Sequence, residues 1–177
     1  KSLTNITEDT IVFAQFSSTT NQYNANFYNY DGEELLFTQK VDYGSKASYS
    51  GSTPTKPIDD NFEYFFSGWN PSLDTVIYGD TSFTAQFSAK NRYLCRFFNG
   101  NNLLYETKVT DGNDALYVGD EPTKDSTAQY SYSFSGWDKP LDNITADTDF
   151  YAEYNNIVNQ YTVTFKNYDG TVLGTST

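Results

Sequence analysis

The side chains of this sequence best placed for acid–base or metal chemistry are carboxylates. Asp59-Asp60 and Asp147-x-Asp149 each set two of them within three residues, and clustered oxygens are what Ca²⁺ prefers. Against a cation site, the stretch 68 positions after Asp59-Asp60 is Thr127-Ala128, and no full calcium-loop spacing occurs. The expectation is a solvated surface with no bound metal. The sequence contains no His, which removes Ser-His-Asp and Cys-His nucleophiles, imidazole zinc sites and the ordinary neutral-pH proton shuttle. Its one Cys, Cys95, can form neither an internal disulfide nor a thiolate cluster. Asn5-Ile6-Thr7 and Asn143-Ile144-Thr145 match the N-glycosylation acceptor pattern, yet both stand at one position of a repeat and read as turn residues. Nothing recurs that could pair as acid and base. The reading is of no catalytic residue, no cofactor and no enzyme.

Charge and composition narrow the partners. The formal net charge over the 177 residues is −12, which argues against a nucleic-acid backbone and against docking on an anionic membrane surface. No apolar run approaches a membrane span or reads as a signal peptide. With Lys at position 1 and no Met anywhere, the chain reads as a piece of a longer or processed product. Aromatic residues make up 18% of it, as 16 Tyr, 14 Phe and 2 Trp. A disordered acidic chain is poor in such residues, so this one folds, and the enrichment favours strands over helices.

The elements that would position these residues are repeated. Tyr64-Phe65-Phe66-Ser67-Gly68-Trp69 returns 68 positions later as Tyr132-Ser133-Phe134-Ser135-Gly136-Trp137, and Pro54-Thr55-Lys56 as Pro122-Thr123-Lys124. Between 35–76 and 103–144, 18 of 42 positions are identical. Ser2–Thr10 matches Pro140–Thr148, and Ala14-Gln15-Phe16, Ala85-Gln86-Phe87 and Ala152-Glu153-Tyr154 are three copies of one closing strand. Opening strands begin at Tyr23, Tyr93 and Tyr161. The chain therefore divides into the tail of one repeat (1–16), two whole repeats (23–87 and 93–154) and the head of a fourth (161–177). Short polar connectors, Ser17–Gln22, Ser88–Arg92 and Asn155–Gln160, join them.

Within a repeat the opening strand alternates with period 2. Tyr23, Ala25 and Phe27 share a face with counterparts Tyr93, Cys95, Phe97 and Tyr161, Val163, Phe165, which makes Cys95 a small buried residue rather than a reactive thiol. Asp31-Gly32 and Asp169-Gly170 mark a hairpin, because the turn needs φ > 0; Asn99–Asn102 replaces it in the middle copy. The return strand is Leu35–Val41, echoed by Leu103–Val109. Gly44–Asn61 and Gly112–Gln129 read as loop holding at most one helical turn. A third strand then leads into Gly-Trp, and a fourth, closing strand puts Phe83, Ala85 and Phe87, or Phe150, Ala152 and Tyr154, inward. The fold class is mainly β (α+β at most): tandem small modules, each a four-stranded sheet with one buried aromatic face. Its core set is Tyr23, Phe27, Phe66, Trp69 and Phe87, then Tyr93, Phe97, Phe134, Trp137 and Tyr154. Each fully buried ring removes roughly 150–250 Å² from water, about 4–6 kcal/mol gross at ~25 cal/mol per Å², which helps a unit that is marginal alone.

Other rings fall on the outer face: Phe13, Tyr28, Phe65, Phe98 and Tyr151. They vary between copies, as Phe65 against Ser133 and Tyr28 against Lys166. Scattered surface rings or inter-unit packing account for them; alternatively Tyr28, Phe65, Phe98 and Tyr151 contact a glycan or a protein partner.

The ordered motifs Tyr-x-Val-x-Phe-x-Asn-Tyr-Asp-Gly, Val-Leu, Tyr-Gly, Pro-Thr-Lys, Phe-Ser-Gly-Trp, Leu-x-Asn-Ile-Thr-x-Asp-Thr and Ala-Gln-Phe run through the whole chain and resemble the Listeria–Bacteroides repeat, also called the internalin B-repeat. The resemblance implies β-grasp-like modules strung in tandem on secreted, wall-attached bacterial adhesins, with no catalytic residues. The expectation is a non-enzymatic stalk or spacer, extracellular at a cell wall or cell surface. Its partners would be a protein or glycan on a cell or particle surface, without nucleic acid or membrane insertion. Two alternatives remain: a fibre or decoration module of a bacteriophage virion, and a carbohydrate-binding module.

Overall fold

Alternation of apolar and polar residues in Tyr23–Phe27 and its copies is what builds the first hairpins of the structure. The computed structural model describes residues 4–177 and contains, among them, nine strands and no helix. These are β1 Gln22–Tyr28, β2 Leu35–Asp42, β3 Phe62–Asn70, β4 Thr81–Asn99, β5 Asn102–Thr110, β6 Tyr130–Trp137, β7 Thr148–Val158, β8 Val163–Lys166 and β9 Val172–Ser176. The chain separates into two compact units. The first takes the chain up to Lys56 together with Phe66–Phe87; the second takes Pro57–Phe65 with Ser88–Thr177.

In the first unit β1 and β2 form an antiparallel hairpin from Gln22↔Asp42 to Phe27↔Phe37, with an irregularity at Phe27/Tyr28. β1 then pairs in parallel with the start of β4, Ala25↔Thr81 to Tyr28↔Thr84, and β3 pairs with β4. The second unit repeats the plan. Hairpin β4–β5 runs from Arg92↔Thr110 to Asn99↔Asn102, β7 lies parallel to β4 from Cys95↔Thr148, and β6 pairs antiparallel with β7. Hairpin β8–β9 forms a two-stranded sheet.

The two cores correspond position by position. Ala25, Phe27, Val41, Ala47, Ile77 and Phe83 are buried in the first, with Tyr23, Phe37, Tyr49, Trp69 and Leu73 packed against them. The second buries Cys95, Phe97, Val109, Ala115, Ile144 and Phe150, with Tyr93, Tyr105, Tyr117, Trp137 and Leu141 around them. Parallel pairing puts Phe27 beside Phe83 and Phe97 beside Phe150. Both ring pairs are consequently stacked, with centroids 4.9 Å apart. Phe66, Phe87, Phe134 and Tyr154 are half-buried. They form a flank to each core, where Phe66 meets Trp69 at 5.4 Å and Phe87 at 5.9 Å, and Phe134 meets Trp137 at 5.5 Å and Tyr154 at 6.2 Å.

The recurring Ser-Gly-Trp has a backbone reason. Along β6 the partners step from Phe134↔Tyr154 to Gly136↔Glu153 and Trp137↔Ala152, so one residue is extra. A bulge of this kind reverses which face the following side chain takes. Phe134 and Trp137, three apart, can then point to one side. Gly136 sits at φ +137° and Gly68 at φ +141°, a conformation that side chains with a Cβ rarely adopt.

Three expectations change. The Gly44–Asn61 and Gly112–Gln129 stretches hold no helical turn. The start of each is tied to the segment before the closing strand: Gly44 N–H to Ile77 O at 2.7 Å and Ile77 N–H to Ser45 O at 2.8 Å, repeated as Gly112 to Ile144 and Ile144 to Asn113 at 2.8 and 2.9 Å. Prolines at 54, 57 and 122 remove helical donors there. Second, Ser88–Arg92 lies within β4, and Asn155–Val158 within β7. Their polarity marks exposure, not an end to backbone pairing. Third, Ala14-Gln15-Phe16 is in no strand, and Phe16 is 94% exposed. A closing strand requires an opening strand beside it, and among the described residues no strand pairs with this segment. Ser2 and Leu3, the first residues of the match to Pro140–Thr148, lie outside the described residues.

Candidate interaction surface

Recurring polar residues occupy themselves with the fold. Asp80 Oδ1 accepts the Asn24 N–H and Asp147 Oδ1 the Leu94 N–H, both at 2.8 Å. Each ties the closing strand to the opening one. Asp31 accepts the N–H groups of Glu33 and Glu34 at 3.0 and 3.3 Å, and these hold its carboxyl below the usual range. Asp169 does the same with Thr171 N–H at 2.9 Å, with the same lowering. In Pro-Thr-Lys the prolines, Pro54 and Pro122, are buried. Its lysines lie over rings, Lys56 5.4 Å from Tyr30 and Lys124 4.1 Å from Tyr132. Asn5 and Asn143 take φ +58° and +51°, a left-handed turn geometry that Asn tolerates well.

The pairs read for chemistry are accounted for similarly. Asp59 Oδ1 accepts Asn61 and Phe62 N–H at 2.8 Å each, and its Oδ2 accepts the Tyr64 hydroxyl at 2.6 Å; that bond raises the Tyr64 pKa. Asp149 faces the Arg96 guanidinium. Among the described residues no three His, Cys, Asp or Glu side chains converge as a metal site. Cys95 is fully buried, and burial, then the Asp147 charge, raises its thiol pKa.

What remains is the outer face of the second unit. The parallel register sets Arg96 against Asp149 and Phe98 against Tyr151. Arg96 binds Asp149 through both oxygens, Nε–Oδ1 at 2.8 Å and Nη2–Oδ2 at 2.9 Å, which raises the guanidinium pKa further. One step along, the Phe98 and Tyr151 rings stack at 5.3 Å and 19°. Arg96 lies 5.7 Å from the Phe98 centroid and Lys139 5.6 Å from that of Tyr151. Tyr151 is 41% exposed and Phe98 half-buried. This is an aromatic tile edged by two ion-paired cations, Arg96 with Asp149 and Lys139 with Asp138. The first unit has no equivalent, because Asn26, Ser82 and Thr84 stand where Arg96, Asp149 and Tyr151 do; Tyr28 there is half-buried against Thr84. Phe65, 42% exposed, lies on β3, and Phe13, 82% exposed, lies outside any strand. The structure thus pairs Phe98 with Tyr151. It also opens a groove of about 520 Å³ in the first unit, beside Tyr49, Phe66, Trp69 and Leu73. The periodicity of β3 gave no signal for it, since Tyr49 and Leu73 come from loops.

No protein-family model matches the chain, and no curated protein matches it. Among solved structures it is distantly similar to Streptococcal High Identity Repeats in Tandem (SHIRT) domains 3–4 from a cell surface protein. The identity is 18% and the TM-score 0.31, over 77% of this chain and 99% of that one.

Proposed function

We propose that the chain is a non-enzymatic structural and adhesive stretch of tandem repeats, serving as stalk or spacer in an extracellular bacterial surface protein of the Listeria–Bacteroides repeat kind. One observation carries this reading. The two cores are rebuilt residue for residue, and the recurring Asp, Lys and Pro positions support backbone and rings. Of the two complete repeats, only the second carries the tile at Phe98 and Tyr151. What recurs is therefore a folded body, as a spacer requires, and not a reactive constellation.

Antibodies raised against the chain and applied to intact bacteria and to virions test it. Regular projections labelled along the cell surface support the spacer; label confined to virions favours the phage fibre, and label found only inside lysed cells refutes both. A second reading rests on the tile itself, whose stacked rings offer a platform for the apolar face of a sugar. A glycan-array signal that disappears in Phe98→Ser/Tyr151→Thr would favour a carbohydrate-binding module.

A further inference from the structure

The turn that enters β3 belongs, by sequence, to the first repeat, yet Pro57–Phe65 is part of the second compact unit. Three of its carbonyls bond into that unit. With its carboxylate turned onto Asn61 and Phe62 N–H, Asp59 closes a tight turn whose carbonyls face the start of the next hairpin. Asp59 O accepts Arg92 Nη1 at 2.7 Å, Asp60 O accepts Lys108 Nζ at 2.6 Å, and Asn61 O accepts Arg92 N–H at 2.8 Å. Just beyond, Glu63 Oε2 accepts the hydroxyl of buried Thr110 at 2.6 Å. Arg92 and Thr110 are direct partners across β4 and β5. The donors therefore come from the base of one hairpin.

The same three carbonyls act again 68 residues later. Thr127 O accepts Asn159 Nδ2 at 2.8 Å, Ala128 O accepts the Tyr161 hydroxyl, and Gln129 O accepts Asn159 N–H at 2.9 Å. Here a hydroxyl replaces the carboxylate inside the turn, Tyr130 N–H donating to Thr127 Oγ1 at 3.0 Å. Backbone carbonyls make no demand on the side chains that carry them, and this is why Asp59-Asp60 can become Thr127-Ala128 without loss. The donors also differ, Arg and Lys in one case and Asn and Tyr in the other, while the acceptors hold.

We propose that this turn is a docking platform for the opening hairpin of whichever repeat follows it, so that consecutive repeats unfold as a coupled pair and not as independent beads. The partner is a further repeat of the same kind: Arg92 and Lys108 belong to hairpin β4–β5, and Asn159 and Tyr161 stand in the stretch that leads into β8. The coupling follows from chain continuity: Pro57–Phe65 is bounded on either side by segments of the first unit, so losing that unit frees the segment the second one uses. The proposal holds whether or not the protein is a surface spacer.

Hydrogen exchange with mass-spectrometric readout, on the full chain across a urea series, tests it. In the unaltered protein, peptides around Phe27 and Phe97 should lose protection at one urea concentration; in Arg92→Ala/Lys108→Ala that single transition should split into two. Since Arg92→Ala also removes a half-buried stem, Lys108→Met, which keeps the aliphatic stem, is measured beside it and should begin the same separation. Asn159→Ala/Tyr161→Phe should lower protection in β8 and β9 alone. Two separate transitions in the unaltered chain, or a Lys108→Met and a double variant that both unfold in one step like the parent, overturn the proposal.

Discussion

Phe27, Phe97 and Phe165 hold one position in three copies of the opening strand, but the structure gives them different surroundings. Phe97 has no exposed surface and Phe165 is 56% exposed. Around Phe97 lie Trp137 and Phe150 at 4.9 Å, Tyr117 at 5.3 Å and Tyr105 at 6.0 Å. Truncating a buried Phe to Ala costs about 3–5 kcal/mol. Ring pairs add about 0.5–1.5 kcal/mol each beyond area burial, which puts Phe97→Ala at the upper end, about 4–5 kcal/mol. A single unit of this size rarely carries more than about 3–5 kcal/mol by itself. Phe97→Ala should therefore leave the second repeat dependent on its neighbour for any remaining structure. Phe165→Ala should stay within about 0.5 kcal/mol, as surface substitutions do. Urea titrations followed by near-ultraviolet circular dichroism of the packed rings measure both. With a slope of roughly 1 kcal/mol per molar urea, a Phe97→Ala midpoint within about 0.5 M of the parent would refute the packing argument. So would Phe165→Ala costing as much as Phe97→Ala.

Two further outcomes are expected. Gly136→Ala meets no atom within 4 Å of its new Cβ, so its cost comes from the backbone at φ +137° alone. About 1–3 kcal/mol should appear as a lowered melting temperature, and an unchanged one would remove the role assigned to the bulge. Cys95 is fully buried and its thiol pKa is raised, so less of it is thiolate at pH 8 than for a free thiol. Labelling by a disulfide reagent should be about 100-fold slower than in urea-unfolded chain, two decades being about 3 kcal/mol of opening; equal rates would contradict the burial.

The carboxylates weighed for chemistry are visible in the sequence, but their structural roles are not. Asp147 and Asp149 look alike two residues apart. Only the parallel register of β4 and β7 sends one to the Leu94 backbone and the other to the Arg96 guanidinium. Phe98 and Tyr151, 53 residues apart, were both expected on an outer face, and their stacking follows from that same register. Tyr49 and Tyr117 sit in loops without period, so no sequence pattern marks them, yet each packs on a Trp, at 4.7 and 5.0 Å.

Local physics made the repeat, the period-2 strands and the hairpin turns legible, since a pleat alternates side chains every residue and Asp-Gly supplies its own positive φ. Those features depend on neighbours in the chain. Tertiary structure decided that Ser88–Arg92 is strand, that the stretches after Gly44 and Gly112 lie over the core without helix, and that Pro57–Phe65 belongs with the second unit. Each of these is settled by hydrogen-bond partners 16 to 48 residues distant, and a carbonyl's partner leaves no trace in the identity of the residue that carries it.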